Sequence, residues 1–152
     1  MPGDKACVPK QRRLQMDRFV KNFILMSLVY LAVASVLGIL MIADPALTTL
    51  KFIHSHFMLL GWVSMMIYGV GYHILPRFSG RLLKNKTMAE VQFWLANLGL
   101  VGLAVSYTLG IYHPDEGIYR TITVLSGAVE VFSIFLFFYN MVTTVFAREE
   151  GS

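Results

Sequence analysis

Cysteine and charged residues are scarce in this chain of 152 residues. The single cysteine, Cys7, excludes a disulfide framework and the paired spacing of a zinc finger. Lysine, arginine, aspartate and glutamate make up only 14% of the residues, against 56% hydrophobic residues, and the mean hydropathy is +0.61. A water-soluble domain of this size needs more polar surface than such a composition supplies. The composition excludes a disordered chain. We expect the protein to lie in a lipid bilayer.

Long stretches with almost no charge predict four membrane spans. A bilayer core of roughly 30 Å requires about 20 helical residues. Apolar runs of that length lie at 23–43, 52–75, 91–112 and 121–147. The first run follows a polar arm and lacks a small-residue cleavage site, unlike a cleavable signal peptide. We predict an all-α, antiparallel four-helix transmembrane bundle at 23–147, between a basic arm at 1–22 and a tail at 148–152.

Lysine and arginine are concentrated in three segments. Eleven of the thirteen lie in the arm, in the loop between the second and third spans and in the tail, whereas Lys51 and Arg120 lie elsewhere. Because such residues mark the cytoplasmic side of a membrane protein, we expect both termini to be cytoplasmic. The expected location is the cell inner (cytoplasmic) membrane. No motif supports nucleic-acid binding by the basic arm.

Histidine is absent from the first, third and fourth spans, and three of the four histidines lie on the second. These three are His54, His56 and His73, and His113 falls in the loop between the third and fourth spans. Ionisable residues at membrane depth are costly and mark functional sites, and imidazole binds iron, copper and zinc. The four histidines are therefore candidate metal ligands. The alternative is an interfacial role, like that of tryptophan and tyrosine.

Helical geometry separates these histidines into two layers. His54 and His56 point about 200° apart on a continuous helix, so they can share a metal only if its first turn is frayed. His73 lies about 26 Å from His56 along the axis, near the cytoplasmic face. His54, His56 and His113 therefore share the outer layer.

Two glycines accompany the histidines at helical spacing. Gly61 is seven residues after His54, and Gly69 is four residues before His73. A glycine at this spacing leaves a shallow slot where a flat haem could lie against the backbone. Glycine is also common in transmembrane helices for packing alone.

The motif around these residues resembles a known family. The pattern His-x-His-x-Met-x-x-Gly-Trp, followed by Gly-x-Gly-Tyr-His-x-x-Pro-Arg, lies within residues 54–81. It is similar to the second transmembrane helix of subunit I in the haem-copper oxidase superfamily, in the branch of cbb-type oxidases and nitric-oxide reductases. In that family the histidine at the outer end of this helix is an axial ligand of the low-spin haem, and it maps to His56 or His54. The resemblance implies haem b near the outer face.

The chain departs from the family in its remaining ligands. The family's copper and further haem ligands are histidines of later helices, and this chain has none there, so the resemblance does not extend to oxygen or nitric-oxide reduction. The second axial ligand stays open between His113, a methionine such as Met58, a histidine of another protomer, and none, which leaves iron able to bind a gas. Near His73, Arg77 and Arg81 suit the propionates of a second haem.

The leading hypothesis is a small membrane b-type cytochrome for electron transfer or gas binding. One alternative is an outer-face copper or zinc site made by His54, His56 and His113. Another is a non-catalytic accessory subunit of a respiratory complex. Whether the protein is an enzyme stays open. Four helices enclose a haem poorly, so we expect a homo-oligomer, and electron transfer would require a respiratory donor as partner.

Two further patterns concern helix packing. Glu130 is the only charged residue of the fourth span, and we expect it to face the interior as a structural carboxyl, a contact between protomers or a proton relay. Small residues recur at helical spacing and predict close contact within the bundle or with a second copy. They are Gly99, Gly102, Ser106 and Gly110 on the third span, and Ala34 and Gly38 on the first.

Overall fold

The computed structural model describes residues 16–146, and the regular secondary structure in that range is helical. The helices are α1 (Arg18–Ala43), a 3₁₀ helix (Pro45–Leu50), α2 (Lys51–His56), a π-helix (Phe57–Ser64), α3 (Met65–Phe78), α4 (Lys86–Tyr112) and α5 (Gly117–Val145). The four segments from Pro45 to Phe78 follow one another directly and form the second span. Most of the predicted basic arm, with Cys7, and all of the predicted tail lie outside the described residues.

Four helical stretches are long and apolar enough to cross a membrane. They contain 26, 34, 27 and 29 residues, and each includes nearly all of one predicted apolar run. The prediction of a membrane protein with four candidate transmembrane helices is therefore confirmed. Each helix begins several residues before its run, because polar residues at a membrane surface can continue a helix whose outer groups are hydrated.

The segments between the apolar runs are partly helical. Between the first two runs, Pro45 begins a 3₁₀ helix, and the Asp44 side chain accepts a hydrogen bond of 2.9 Å from the Ala46 amide. After the second run, which ends at residue 75, α3 continues through Pro76 to Phe78. Gly80, with a φ of +65°, then allows the chain to turn.

Aromatic side chains from all four spans form the core. The Phe23 ring of α1 is fully buried and lies 5.1 Å from the Phe93 ring of α4 and 5.7 Å from the Tyr68 ring of α3. The Tyr68 ring lies 4.7 Å from that of Phe137 on α5. Ring pairs at these separations add to the burial of apolar area. The four spans therefore pack around one shared core.

The small residues of α4 allow α5 to approach closely. A Cβ atom added at Gly99 would lie 2.9 Å from the Glu130 backbone nitrogen, and one at Gly102 would lie 2.6 Å from the Ser126 hydroxyl. The Ser106 hydroxyl lies 2.8 Å from that of Thr123. The sequence left open which neighbour this stripe contacts, and the neighbour is α5 of the same chain.

A hydrogen bond between side chains joins α1 to α4. The Tyr30 hydroxyl donates to Asn97 Oδ1 over 2.9 Å, and Asn97 Nδ2 donates to the Phe93 carbonyl over 2.7 Å. We expect Tyr30→Phe to lower the free energy of unfolding by about 1 kcal/mol, since the amide oxygen loses its donor. Thermal denaturation in detergent measures this, with Tyr139→Phe at an exposed tyrosine as the control. Equal losses in both variants would contradict a role for the hydrogen bond.

Candidate functional site

The His54 ring is held between α2 and α1. Its Nδ1 atom lies 2.9 Å from the Ala34 carbonyl oxygen, so Nδ1 carries the proton and donates it. A Cβ atom added at Gly38, one turn further along α1, would lie 3.2 Å from His54 Cε1. The small residues of α1 therefore make room for this ring. With the proton on Nδ1, Nε2 is the nitrogen that can bind a metal.

The His56 ring has a similar anchor on the other side of α2. Its Nδ1 atom lies 2.8 Å from the Phe52 carbonyl oxygen. The ring lies 4.0 Å from that of Phe52, which stacks at 4.1 Å on Tyr107 of α4. His54 therefore contacts α1, whereas His56 lies on the side of α4. Both sit in the regular helix α2 and point to different sides, as its geometry predicts.

The helix widens directly after His56. Residues Phe57–Ser64 form a π-helix, in which the Ser64 hydroxyl donates to the Leu59 carbonyl over 3.0 Å. π-helical segments are rare and occur frequently at functional sites. The predicted alignment of Gly61 with His54 assumed 3.6 residues per turn, and that spacing does not hold here.

The slots predicted beside Gly61 and Gly69 are filled by α1. A Cβ atom at Gly61 would lie 2.6 Å from Tyr30 Cγ, and one at Gly69 would lie 2.9 Å from Ile24 Cγ1 and 3.3 Å from the Val20 carbonyl oxygen. Both glycines therefore serve helix contact in this structure, and α1 occupies the space in which a haem was predicted to lie.

An apolar groove of about 430 Å³ lies between α1, the start of the second span and α4, and neither His54 nor His56 is one of its wall residues. Its walls are Val33 and Leu37 of α1, Leu50, Ile53 and Phe57 of the second span, and Ala104, Val105, Thr108 and Leu109 of α4. In the chain, His54 and His56 both fall between two wall residues, Ile53 and Phe57. The Thr108 hydroxyl donates to the Ala104 carbonyl over 2.7 Å, so the groove offers a ligand almost entirely apolar surface.

His113 lies apart from the other histidines. It is exposed, its ring lies 5.7 Å from that of Tyr119, and it borders a separate pocket of about 450 Å³ between α4 and α5. Across residues 16–146, no three histidine, cysteine, aspartate or glutamate side chains are placed to hold one metal ion. The copper or zinc site predicted from His54, His56 and His113 is therefore not formed.

His73 is engaged by a neighbour on its own helix. Arg77, one turn further along α3, donates from Nη1 to His73 Nε2. A ring nitrogen that accepts from a guanidinium cannot bind iron at the same time. In this arrangement the Nε2 atom of His73 is not available to the second haem predicted near His73, Arg77 and Arg81.

Comparisons with known proteins find no relative: no protein-family model, no curated protein and no solved structure matches this chain.

Proposed function

We propose that the protein is a small b-type cytochrome that binds one haem beside α2, with His54 or His56 as an axial ligand. The observation that carries this proposal is the pair of Nδ1 hydrogen bonds to backbone carbonyls, at 2.9 Å and 2.8 Å. Metal-binding histidines almost always donate their second nitrogen in this way, which fixes the tautomer and the ring orientation. The resemblance of residues 54–81 to an oxidase helix supports the same function.

The surroundings of α2 fit the proposed cofactor. The apolar walls of the groove suit a flat macrocycle. Lys51, exposed and next to the wall residue Leu50, suits a negatively charged propionate. The haem iron, when bound, supplies one-electron transfer or gas binding, whereas the chain provides the ligand nitrogen and its orientation.

The second axial position is proposed to be open or filled from a second copy. His73 is bound to Arg77 and His113 borders a different pocket. Met58 lies on the π-helix and is half-buried. The groove between α1, α2 and α4 is open on one side, and a second protomer there would complete the enclosure, consistent with a homo-oligomer. A respiratory electron donor is the partner that electron transfer requires.

The proposed topology is an antiparallel bundle in the inner membrane with cytoplasmic termini. The salt bridge of 2.8 Å between Lys86 and Asp17 brings the starts of α1 and α4 together. The hydrogen bond of 2.8 Å from Asn140 Nδ2 to the Asn85 carbonyl joins the end of α5 to the start of α4. We call this the Lys86 end of the bundle. Its excess of lysine and arginine supports the cytoplasmic assignment.

An absorption spectrum tests the function. The full chain, purified from cells supplied with haem, should show a Soret band and about one haem per chain, and a further shift on adding carbon monoxide to the reduced protein would indicate an open axial position. The double variant His54→Ala/His56→Ala should lose the band, whereas His73→Ala should keep it. A colourless, iron-free wild type, or a double variant with full haem content, would refute the proposal.

A further inference from the structure

Among residues 16–146, four polar side chains inside the bundle carry buried atoms without hydrogen-bond partners. Among the described residues, Glu130 has no partner for either carboxyl oxygen and Gln92 none for its amide, and the Tyr72 hydroxyl and Asn140 Oδ1 are also unpaired. Glu130, Gln92 and Asn140 are 2%, 0% and 1% exposed. Buried polar atoms in folded proteins are nearly always hydrogen-bonded, to protein or to ordered water. We call these four side chains the polar row.

The polar row extends along the bundle from its centre to the Lys86 end. Glu130 lies near the middle of α5 and opposite Gly99 of α4. Gln92 is seven residues before Gly99, about 10 Å nearer that end, and Asn140 is ten residues after Glu130, about 15 Å nearer.

Tyr72 joins the row from α3. Its buried hydroxyl is one of the unpaired atoms, and its ring lies 5.2 Å from that of Phe137 on α5, three residues before Asn140. At the end of the row, the Asn140 Nδ2 atom donates to the Asn85 carbonyl, in the loop between α3 and α4. The row therefore includes residues of α3, α4 and α5 and ends at the loop between α3 and α4.

Among residues 16–146, no positively charged side chain forms a salt bridge with Glu130. The titratable groups that face it are two neutral phenols, Tyr30 of α1 and Tyr68 of α3, and α4 presents Gly99. Between Met16 and Phe146, the salt bridge that the structure shows joins Lys86 and Asp17. An ionised carboxyl without a partner is very costly in an apolar interior, whereas a protonated carboxyl is a neutral hydrogen-bond donor.

We propose that Glu130 is a proton-binding site and that the polar row holds a chain of water molecules connecting it to the Lys86 end. The carboxylate takes a proton from the nearest water, and the adjacent water molecules pass protons along the row from the bulk phase. The amide of Gln92, the Asn140 oxygen and the Tyr72 hydroxyl supply the hydrogen bonds that hold this water. The site does not depend on the haem or on its ligand.

Infrared spectroscopy of the full chain in lipid nanodiscs tests the proton site. Wild type should show the carbonyl band of a protonated carboxyl, and Glu130→Gln should remove this band. Glu90→Gln, at an exposed glutamate of α4, is the matched control and should keep it. Loss of the band in the control, or no protonated carboxyl in wild type, would overturn the assignment.

Hydrogen exchange in the same samples tests the water connection. On transfer to D₂O the Glu130 band should shift, and Gln92→Leu should slow the shift by roughly an order of magnitude, because it removes the groups that bind water. Tyr72→Phe, which removes a single oxygen, should act in the same direction and decides the case if Gln92→Leu does not fold.

A further variant tests from which end of the bundle protons reach Glu130. Thr123→Val changes the α4–α5 contact on the far side of Glu130, where Thr123 is already paired with Ser106, and should leave the rate unchanged. Three results would overturn the proposed route. They are a Glu130 band that never shifts in D₂O, equal exchange rates in wild type and Tyr72→Phe, and slower exchange in Thr123→Val alone.

Discussion

Replacing Gly61 by alanine is expected to lower the free energy of unfolding by about 1–3 kcal/mol, because it overfills a tight helix contact. The added Cβ atom would lie 2.6 Å from Tyr30 Cγ and 2.7 Å from Tyr30 Cβ. Rotation of the tyrosine ring cannot relieve a contact with its Cβ atom, so α1 and the π-helix must move apart. This movement would also strain the hydrogen bond between Tyr30 and Asn97.

Gly127→Ala on α5 is the matched control for this substitution. The nearest atom to a Cβ there is Leu103 Cδ1 at 3.7 Å, which is an ordinary contact. Alanine favours helix over glycine, so this variant should be as stable as wild type or slightly more stable. Thermal denaturation in detergent, followed by circular dichroism, measures both. If Gly61→Ala and Gly127→Ala have the same melting temperature, the close contact between the second span and α1 does not exist in the protein.

The four spans could be predicted from the sequence because the bilayer imposes a simple requirement. A helix that crosses it needs a long apolar run, and this chain has four such runs. The exact ends could not be predicted, since a helix continues through polar residues beyond the hydrocarbon region. The continuation of α3 past Pro76 to Phe78 is an example.

The histidine positions were predicted better than their surroundings. The different directions of His54 and His56 follow from helix geometry alone. The contact of His54 with Ala34 and Gly38 joins residues far apart in the chain, and no local pattern indicates it. The small-residue pattern on α1 was visible, but its neighbour was not.

The role of Gly61 could not be predicted, because it depends on a π-helix that the sequence does not indicate. The prediction of a slot beside Gly61 assumed a regular α-helix, whereas the structure has a π-helix there, and the placement of Gly61 depends on packing against α1.

The polar row was missed for a related reason. Gln92, Asn140 and Tyr72 are ordinary interfacial residues in isolation, and only the packed bundle shows that they are buried on the side of Glu130.

His54→Gly is expected to remove nearly all haem absorbance, whereas His56→Gly is expected to retain most of it. The two rings differ in what orients them: His54 donates to Ala34 of another helix, whereas His56 donates to Phe52 of its own helix. An anchor on a second helix restrains the ring against motion of α2, and such partners of a ligand contribute strongly to metal affinity. We therefore propose His54 as the ligand of the b-type haem.

The two histidines can be separated by imidazole rescue and by a change on α1. Free imidazole should restore the Soret band of His54→Gly, because the vacated space can accept the ring. Gly38→Ala should weaken haem binding by about tenfold, since its Cβ would lie 3.2 Å from His54 Cε1 and shift the ring. Gly110→Ala on α4, where the nearest contact is 3.4 Å, is the control. The opposite result would make His56 the ligand: His56→Gly would lose the haem, whereas His54→Gly and Gly38→Ala would bind it normally. The contact of His54 with α1 would then orient a ring that does not bind iron.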